Sequence, residues 1–252
     1  MSLSPRRRKA LGQHFLVDEK LADRIVAAAE IAPGERILEI GPGRGVLTER
    51  LVPLGKLVAV EKDRWLAAVL RPRFGDELEL ITGDALEVEL PPSDVVVANL
   101  PYNIATPLLL GWLRRITDFD GLTLMFQKEV AGRLVAQPGG KAYGRLSVIT
   151  QWLAEVRHEF NVSKQGFTPP PKVASSVVSV IPRPAPLAPA DWQALETVTA
   201  AAFGQRRKML RSSLKPLSLD LGALGIEPTV RAEDLSVEEF CAIARAVHEG
   251  AG

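Results

Sequence analysis

Hydrophobic and polar positions follow two alternating patterns along the first half of the chain. Short runs of aliphatic residues, which predict buried strands, are separated by segments whose apolar positions recur every three or four residues, which predict helices. The strands are predicted at 36–40, 57–60, 78–82, 95–98 and 122–126, and the helices at about 18–30, 46–53, 63–73 and 106–115. Because strands alternate with helices, this order favours an α/β fold with a parallel, doubly wound sheet.

The pattern changes in the second half of the chain. A helix is predicted at 144–153, and it is followed by strands at 155–162 and 175–181 with no helix between them, so one of these strands should be antiparallel to its neighbours. Four prolines between residues 182 and 189 predict a rigid linker, and the chain beyond Asp191 has helical segments without strand runs. We therefore predict a seven-stranded, mostly parallel sheet in residues 1–182 and a small all-α domain in residues 183–252.

Composition restricts the class of protein. The 252 residues are 46% hydrophobic and 24% charged, and no apolar run approaches the roughly 18 residues of a membrane span. The basic N-terminus is not followed by the apolar core of a signal peptide. Cys241 is the only cysteine, and the three histidines lack helical metal-ligand spacing. We expect a cytoplasmic protein with no membrane association, no disulfide and no structural metal.

Positive charge is concentrated in two places although the net charge is only +1. The two clusters consist of Arg6, Arg7, Arg8 and Lys9, and of Arg206, Arg207, Lys208, Arg211 and Lys215 on a predicted basic helix. Local clusters of this kind are where contacts with phosphates are expected. A solvated tail and a solvated helix face remain open as alternatives for each cluster taken singly.

A glycine-rich turn follows the first predicted strand, with the spacing Glu39-x-Gly41-x-Gly43-x-Gly45. Glycines at such a turn let the backbone approach a ligand at the N-terminus of the next helix. The nicotinamide fingerprint G-x-G-x-x-G needs a glycine where this chain has Val46. The spacing instead resembles the first motif of S-adenosylmethionine-dependent methyltransferases, and a glycine turn without a ligand is the alternative.

Polar side chains also end the next three predicted strands. Glu61 ends the second strand, where a carboxylate can accept both hydroxyls of a ribose. Asp84 follows the third strand and could accept from the exocyclic amine of an adenine, and Asn99 follows the fourth. Ligands of open α/β sheets bind at the carboxyl ends of the strands, so the four strand ends together predict one ligand site.

The segment Asn99-Leu100-Pro101-Tyr102 is a second candidate for chemistry. A side-chain amide is both donor and acceptor, the proline fixes the backbone, and the tyrosine ring offers a face for stacking. Asn and Pro also favour an ordinary strand-to-helix turn, and the segment alone does not separate that alternative from a site. The neighbouring strand ends favour the site.

Five motifs in this order carry a resemblance to a known family. They are Gln13-His14-Phe15-Leu16, Glu39-Ile40-Gly41-Pro42-Gly43-Arg44-Gly45, Asn99-Leu100-Pro101-Tyr102, Phe167-Thr168-Pro169-Pro170-Pro171-Lys172-Val173 and Phe203-Gly204-Gln205-Arg206-Arg207-Lys208. Together they resemble the KsgA-type rRNA adenine N6-dimethyltransferases, from about residue 8 to residue 249. The related macrolide-resistance methyltransferases usually have Ile at position 100 and as a rule lack a run like 205–214.

The resemblance implies a Rossmann-like class I methyltransferase domain with an N-terminal RNA-contacting arm, followed by the small helical domain. Its implied activity is dimethylation of N6 of two adjacent adenosines in a hairpin loop near the 3′ end of 16S rRNA, within the small ribosomal subunit or its precursor. S-adenosylmethionine would be the methyl donor, S-adenosylhomocysteine the product, and no metal would take part. A role in small-subunit biogenesis is also implied, and nothing in the sequence demands more than a monomer.

The resemblance also assigns roles to residues. The cofactor would contact His14, Leu16, Gly41, Gly43, Glu61, Asp84 and Asn99; His14 stands where the family commonly has Asn, and His is an accepted variant. The Asn99 side-chain oxygen and the Leu100 carbonyl would accept the two N6 hydrogens. Pro101 would supply rigidity, and Tyr102 and Phe167 would stack on the target base. RNA phosphates would contact Arg6, Arg7, Arg8, Lys9, Arg206, Arg207, Lys208 and Arg211.

Two alternatives to this function remain at the level of sequence. One is a large-subunit rRNA adenine methyltransferase of the macrolide-resistance type. The other is a non-catalytic RNA-binding assembly factor on the same fold, against which the intact Glu61, Asp84 and Asn99-Leu100-Pro101-Tyr102 weigh.

Overall fold

Two units make up the chain, and the computed structural model describes residues 14–250 of it. Unit 1 comprises the chain up to Ala131 together with Arg157–Pro182, and unit 2 comprises Gly132–Val156 and the chain from Arg183. The chain therefore passes from one unit to the other three times, and the predicted boundary between residues 182 and 183 is one of these three positions. Residues 132–156 belong to unit 2 because Val148 and Trp152 lie in one apolar cluster with Leu195. The basic segment 6–9 and Gln13 lie outside the described residues.

The main sheet has seven strands, as predicted. They are β2 (Arg36–Ile40), β3 (Lys56–Glu61), β4 (Leu78–Thr82), β5 (Val95–Asn99), β6 (Gly121–Gln127), β7 (Ala154–Val162) and β9 (Ser175–Pro182). Their order across the sheet is β4-β3-β2-β5-β6-β9-β7. Pairings from β4 to β6 are parallel, whereas β9 is antiparallel to β6, which confirms the expected reversal. The central strands are buried on both faces, with Ile37, Leu38, Val96 and Val97 completely inaccessible.

Helices follow β2, β3 and β5 in the chain, and they are the main regular secondary structure of unit 2. They are α1 (Glu19–Ala28), α2 (Thr48–Leu51), α3 (Arg64–Phe74), α4 (Tyr102–Leu113), α5 (Lys128–Leu134), α6 (Arg145–Leu153), α7 (Trp192–Gly204), α8 (Leu210–Ser213) and α9 (Val237–Gly250). Asp18 caps α1 as predicted, because its Oδ1 accepts the Leu21 N–H at 3.0 Å.

Three predicted helices were wrong in extent. The helix predicted at 46–53 is reduced to α2, because Gly43 and Gly45 place the preceding turn in the positive-φ region. The helix predicted at 106–115 begins earlier, at Tyr102, and it contains Pro107 in its interior. The basic helix predicted over 206–215 is mostly a turn followed by the single helical turn α8, since Leu210 and Arg211 donate their backbone N–H groups to the carbonyls of Val230 and Pro228.

A second, two-stranded sheet lies apart from the main one and was not predicted. β1 (Phe15–Leu16) pairs antiparallel with β8 (Phe167–Thr168), with Phe15 opposite Thr168 and Leu16 opposite Phe167. Strands of two residues carry no periodic signal in the sequence. The pairing nevertheless matters, because it joins two of the segments on which the site was predicted.

Candidate active site

The carboxyl ends of β2, β3 and β5 border a cleft in unit 1. One part of the cleft is open to solvent and contains about 730 Å³ of space not occupied by atoms. Its walls are formed by His14, Phe15, Leu16, Glu39, Gly41, Pro42, Gly43, Arg44, Val46, Leu47, Glu61, Asn99, Leu100, Pro101, Tyr102 and Phe167. A second part, of about 660 Å³, includes Asp84 and shares Gly41, Glu61 and Pro101 with the first. The structure thus brings together all the predicted catalytic and cofactor residues.

The glycine turn needs glycine for two different reasons. Gly41 has a φ of +70°, which L side chains rarely adopt, while its N–H donates to the Val60 carbonyl at 2.9 Å. Gly43 has a φ of +59°, and an added Cβ would lie 3.2 Å from the ring of Phe15. The backbone therefore borders the cleft directly, and β1 is in close contact with the turn.

Glu61 joins this turn to the end of β3. Its Oε2 accepts the Gly43 N–H at 3.1 Å, its Oε1 accepts the Asp63 N–H at 2.8 Å, and only 4% of the residue is exposed. Burial raises the pKa of the carboxyl, and the backbone hydrogen bonds oppose that rise. Each carboxylate oxygen keeps a further lone pair for hydroxyl donors of a ligand.

Glu39 also borders the cleft, and it was not predicted as a site residue although it begins the glycine motif. It lies on β2, its Oε2 accepts from Thr48 Oγ1 at 2.7 Å, and it is 1% exposed. Burial is the main cause that raises its pKa to about 8, and the nearby Glu61 adds to the rise. An acid within an otherwise apolar strand is the sequence signal that marks it.

The two buried acids affect which ligands the cleft can accept. Carboxyls that are buried close together are costly when both are ionised, and a cation with hydrogen-bond donors would relieve that cost. A ligand with hydroxyl groups would find acceptors at these acids, and a positive charge on that ligand would favour their ionised forms.

Asp84 borders the second part of the cleft in a salt bridge. Its Oδ2 accepts from the Lys62 ammonium, and its Oδ1 accepts the Leu86 N–H at 3.0 Å. The hydrogen bond from Lys62 is the main cause that lowers the pKa of Asp84. Lys62 also borders the cleft, and the sequence reasoning did not single it out.

Asn99 and Tyr102 stand on either side of the turn between β5 and α4. The Asn99 amide nitrogen lies 3.5 Å from the His14 carbonyl oxygen, which is a long contact. The Tyr102 hydroxyl lies 2.6 Å from Ser175 Oγ, and its ring centroid is 6.2 Å from that of His14. His14 Nδ1 lies 2.8 Å from the Pro169 carbonyl oxygen. These contacts join β1 and the loop after β8 to the turn.

Phe167 is more deeply buried than a freely presented stacking ring. It is 3% exposed, and it lies in an apolar cluster with Leu16 and Leu21 while also bordering the cleft. The part of the ring that a base could contact is therefore small in this structure. The stacking role remains a prediction that the position of the ring allows.

The basic residues of unit 2 differ in what they contact. Arg206 donates to Glu233 at 2.8 Å and to the Lys141 carbonyl at 3.0 Å, so its guanidinium takes part in the packing of unit 2. Arg207, Lys208 and Arg211 are exposed. The predicted RNA-binding residues Arg6, Arg7, Arg8 and Lys9 lie outside the described residues.

Two classes of feature have no representative within residues 14–250. No group of three His, Cys, Asp or Glu side chains is arranged to hold a metal ion. In the same part of the chain, no helix has the length and apolar character needed to cross a membrane.

Comparison with known proteins gives consistent matches over nearly the full length. The model of the family described as "Ribosomal RNA adenine dimethylase" matches residues 5–249. Proteins named ribosomal RNA small subunit methyltransferase A from Rhodospirillum rubrum and Paramagnetospirillum magneticum are 54% and 53% identical to the chain, each over 95% of it and over 88% and 90% of their own lengths.

Solved structures give the same picture. A dimethyladenosine transferase from Plasmodium falciparum matches with a TM-score of 0.86 at 27% identity, covering 94% of this chain and 98% of that one. The 23S rRNA methyltransferase ErmE matches with a TM-score of 0.73 at 26% identity, covering 93% of this chain and 99% of that one. The class I methyltransferase fold expected from the sequence is confirmed.

Proposed function

The chain belongs to the ribosomal RNA adenine dimethylase family of S-adenosylmethionine-dependent methyltransferases, and we propose that it dimethylates N6 of two adjacent adenosines in small-subunit rRNA. The target would lie in a hairpin loop near the 3′ end of 16S rRNA, within the small subunit or its precursor. The relatives above 50% identity carry small-subunit names, whereas ErmE, named for 23S rRNA, is 26% identical. We further propose that the enzyme acts in the cytoplasm as a monomer and contributes to small-subunit biogenesis.

One observation supports this function above the others. The Asn99-Leu100-Pro101-Tyr102 turn borders the same cleft as the glycine turn and the two buried acids Glu39 and Glu61. A cleft with an amide at one side and acceptors for a cationic ligand at the other can bring a nucleophilic nitrogen and a methyl donor together.

S-adenosylmethionine fits the residues of this cleft. Glu61 would accept the ribose hydroxyls, Asp84 the exocyclic amine of the adenine, and the backbone at Gly41 and Gly43 would allow close approach. His14, Leu16 and Asn99 would complete the walls. When bound, the cofactor supplies a methyl group already activated on a sulfonium, so the protein needs no metal and no strong base.

The protein's part in the transfer is geometric and electrostatic. The N6 nitrogen of adenine is a weak nucleophile because its lone pair is delocalised into the ring. The Asn99 amide oxygen and the Leu100 carbonyl would accept its two hydrogens and favour a pyramidal nitrogen. Pro101 would hold the turn rigid, and Tyr102 and Phe167 would stack on the base at about 1–3 kcal/mol per base. The target must be unpaired or flipped out to enter.

RNA outside the cleft would be held by positive charge. Arg207, Lys208 and Arg211 are exposed on unit 2, where phosphate contacts carry little sequence information. Arg206, together with Arg6, Arg7, Arg8 and Lys9, completes the proposed set of RNA-binding residues.

A methylation assay with two substrates tests this function. The protein is incubated with labelled S-adenosylmethionine and either small-subunit particles or large-subunit RNA, and the modified base is identified after digestion. We expect dimethyladenine in the small-subunit RNA. Label as monomethyladenine in large-subunit RNA alone would favour the macrolide-resistance type, and absence of label from both RNAs would sink the proposed reaction in favour of a non-catalytic assembly factor.

A further inference from the structure

Lys62 borders the second part of the cleft and forms an ion pair there. It directly follows Glu61 at the end of β3, and its ammonium forms a salt bridge with Asp84 Oδ2. Both residues border the cavity whose apolar walls include Ile40, Val60 and Ile104. A charged pair therefore lies beside these apolar walls.

The salt bridge constrains the orientation of the Asp84 carboxylate. One oxygen is bonded to Lys62, and the other accepts the Leu86 N–H at 3.0 Å, so the plane of the carboxylate is held at two points. A carboxylate offers about four acceptor positions, and these two bonds leave further capacity for a ligand. The side chain of Asp84 is only 13% exposed, whereas that of Lys62 is 60% exposed.

We propose that Lys62 is a positioning residue that fixes Asp84 as an acceptor for the exocyclic amine of the cofactor's adenine and thereby selects adenosyl over inosyl cofactors. This inference rests on the proposed function, because it concerns the nucleoside end of the same cofactor. Inosine carries an oxo group in place of the amine. An oxo group and a carboxylate oxygen are both hydrogen-bond acceptors, so they cannot form a hydrogen bond with each other. The Lys62 bond also lowers the pKa of Asp84, which keeps the carboxylate without a proton to offer the oxo group.

The size of the effect follows from the exposure of the pair. Lys62 is mostly in solvent, so its bond to Asp84 is a partly screened interaction of modest strength. Loss of the Lys62 ammonium should leave the Asp84 carboxylate in place but hold its orientation less firmly. The expected result is a threefold to fivefold loss of selectivity, with the remaining preference still supplied by Asp84.

Binding measurements with two product analogues test the inference without the methyl-transfer reaction. The dissociation constants of S-adenosylhomocysteine and S-inosylhomocysteine are measured by calorimetry for the wild type, Lys62→Met and Lys62→Arg. Lys56→Met serves as the matched control, because Lys56 is an exposed lysine at the opposite end of the same strand. We expect Lys62→Met to weaken S-adenosylhomocysteine threefold to fivefold with little change for the inosyl compound, and Lys62→Arg and Lys56→Met to keep the wild-type ratio.

A double-mutant comparison separates positioning from general damage. In an Asp84→Asn background, Lys62→Met should leave the adenosyl-to-inosyl ratio unchanged, because the carboxylate that Lys62 positions is gone. An unchanged ratio in the single variant Lys62→Met would overturn this inference and leave the proposed function standing. Failure of the wild type to bind either compound would overturn both.

Discussion

The hydroxyl of Tyr102 lies 2.6 Å from Oγ of Ser175, which ties the aromatic ring at the start of α4 to the first residue of β9. Ser175 is completely buried, and the Tyr102 ring is half-buried at the edge of the cleft. The bond restricts rotation of a ring that is proposed to stack on the target base. Its loss should therefore affect catalysis as well as folding.

We expect Ser175→Ala to lower kcat/KM about fivefold, the effect of losing one hydrogen bond of about 1 kcal/mol. Ser176→Ala is the matched control, because Ser176 is equally buried on the same strand and donates instead to Asn161 Oδ1 at 2.9 Å. Both variants should lose similar stability in denaturant titrations. Similar kinetic losses in both would show that the bond acts only through folding.

Asn99→Ala should abolish methyl transfer while cofactor binding is only modestly weakened. The amide oxygen is proposed to interact with the N6 hydrogens, and removal of one such group typically costs about a hundredfold or more in rate. Single-turnover methylation measures the first effect, and calorimetry with S-adenosylhomocysteine measures the second. Near-normal turnover in the variant would remove Asn99 from the reaction.

The buried acid Glu39 should make folding stability depend on pH. Burial raises its pKa in the folded protein to about 8, from an ordinary value of 4.5. Between these values the folded state binds more protons than the unfolded state, so its stabilising contribution is complete below about pH 4.5 and declines as the pH rises toward 8. Glu61, whose pKa is also raised, contributes in the same direction.

Urea titrations of the wild type and Glu39→Gln between pH 5 and 9 measure this contribution. We expect the stability of the variant, relative to the wild type, to increase as the pH rises to 8 and then to level off. Glu79→Gln is the control, because Glu79 occupies an exposed position on β4 of the same sheet. Parallel pH profiles for the wild type and Glu39→Gln would show that Glu39 is ionised in the free protein.

Gly45→Ala should destabilise unit 1 more than Gly34→Ala. Both glycines have positive φ, +82° and +88°, so both substitutions incur about 1 kcal/mol or more of backbone strain. At Gly45 an added Cβ would also lie 3.0 Å from Leu70 and Phe74, whereas at Gly34 nothing lies within 4 Å. Crowding of a packed core adds about 1–3 kcal/mol. If Gly45→Ala and Gly34→Ala unfolded at the same urea concentration, the added Cβ at Gly45 would not be crowded by Leu70 and Phe74.

Features that depend on residues near one another in the sequence were predicted, whereas contacts between residues far apart in the chain were not. The strands and their order of alternation follow from continuous apolar runs, and the glycine turn, Glu61 and Asp84 follow from positions at strand ends. The β1–β8 pairing could not be found this way, because it joins residues 15 and 168 through two residues per strand. The salt bridge of Lys62 with Asp84 and the position of Phe167 in the core likewise depend on contacts between distant segments.

The roles of the basic residues 206–208 in unit 2 also depend on contacts between distant segments. Consecutive charges at 206–208 looked equivalent in the sequence, but Arg206 is bonded to Glu233 and to the Lys141 carbonyl, whereas Arg207 and Lys208 are exposed. Arg206→Ala should therefore lower thermal stability. Arg207→Ala with Lys208→Ala should leave stability unchanged and weaken RNA binding.

The salt dependence of binding distinguishes these two roles. Each lost phosphate contact should reduce the slope of log K against log salt by about 1, so the double variant Arg207→Ala/Lys208→Ala should lose about 2. Lys20→Ala, an exposed lysine on α1, is the control and should keep the wild-type slope. Filter binding of small-subunit rRNA between about 50 and 200 mM salt spans the range in which such contacts change affinity strongly. A wild-type slope in the double variant would mean that Arg207 and Lys208 contact no phosphates, and the RNA would then have to be held by other residues.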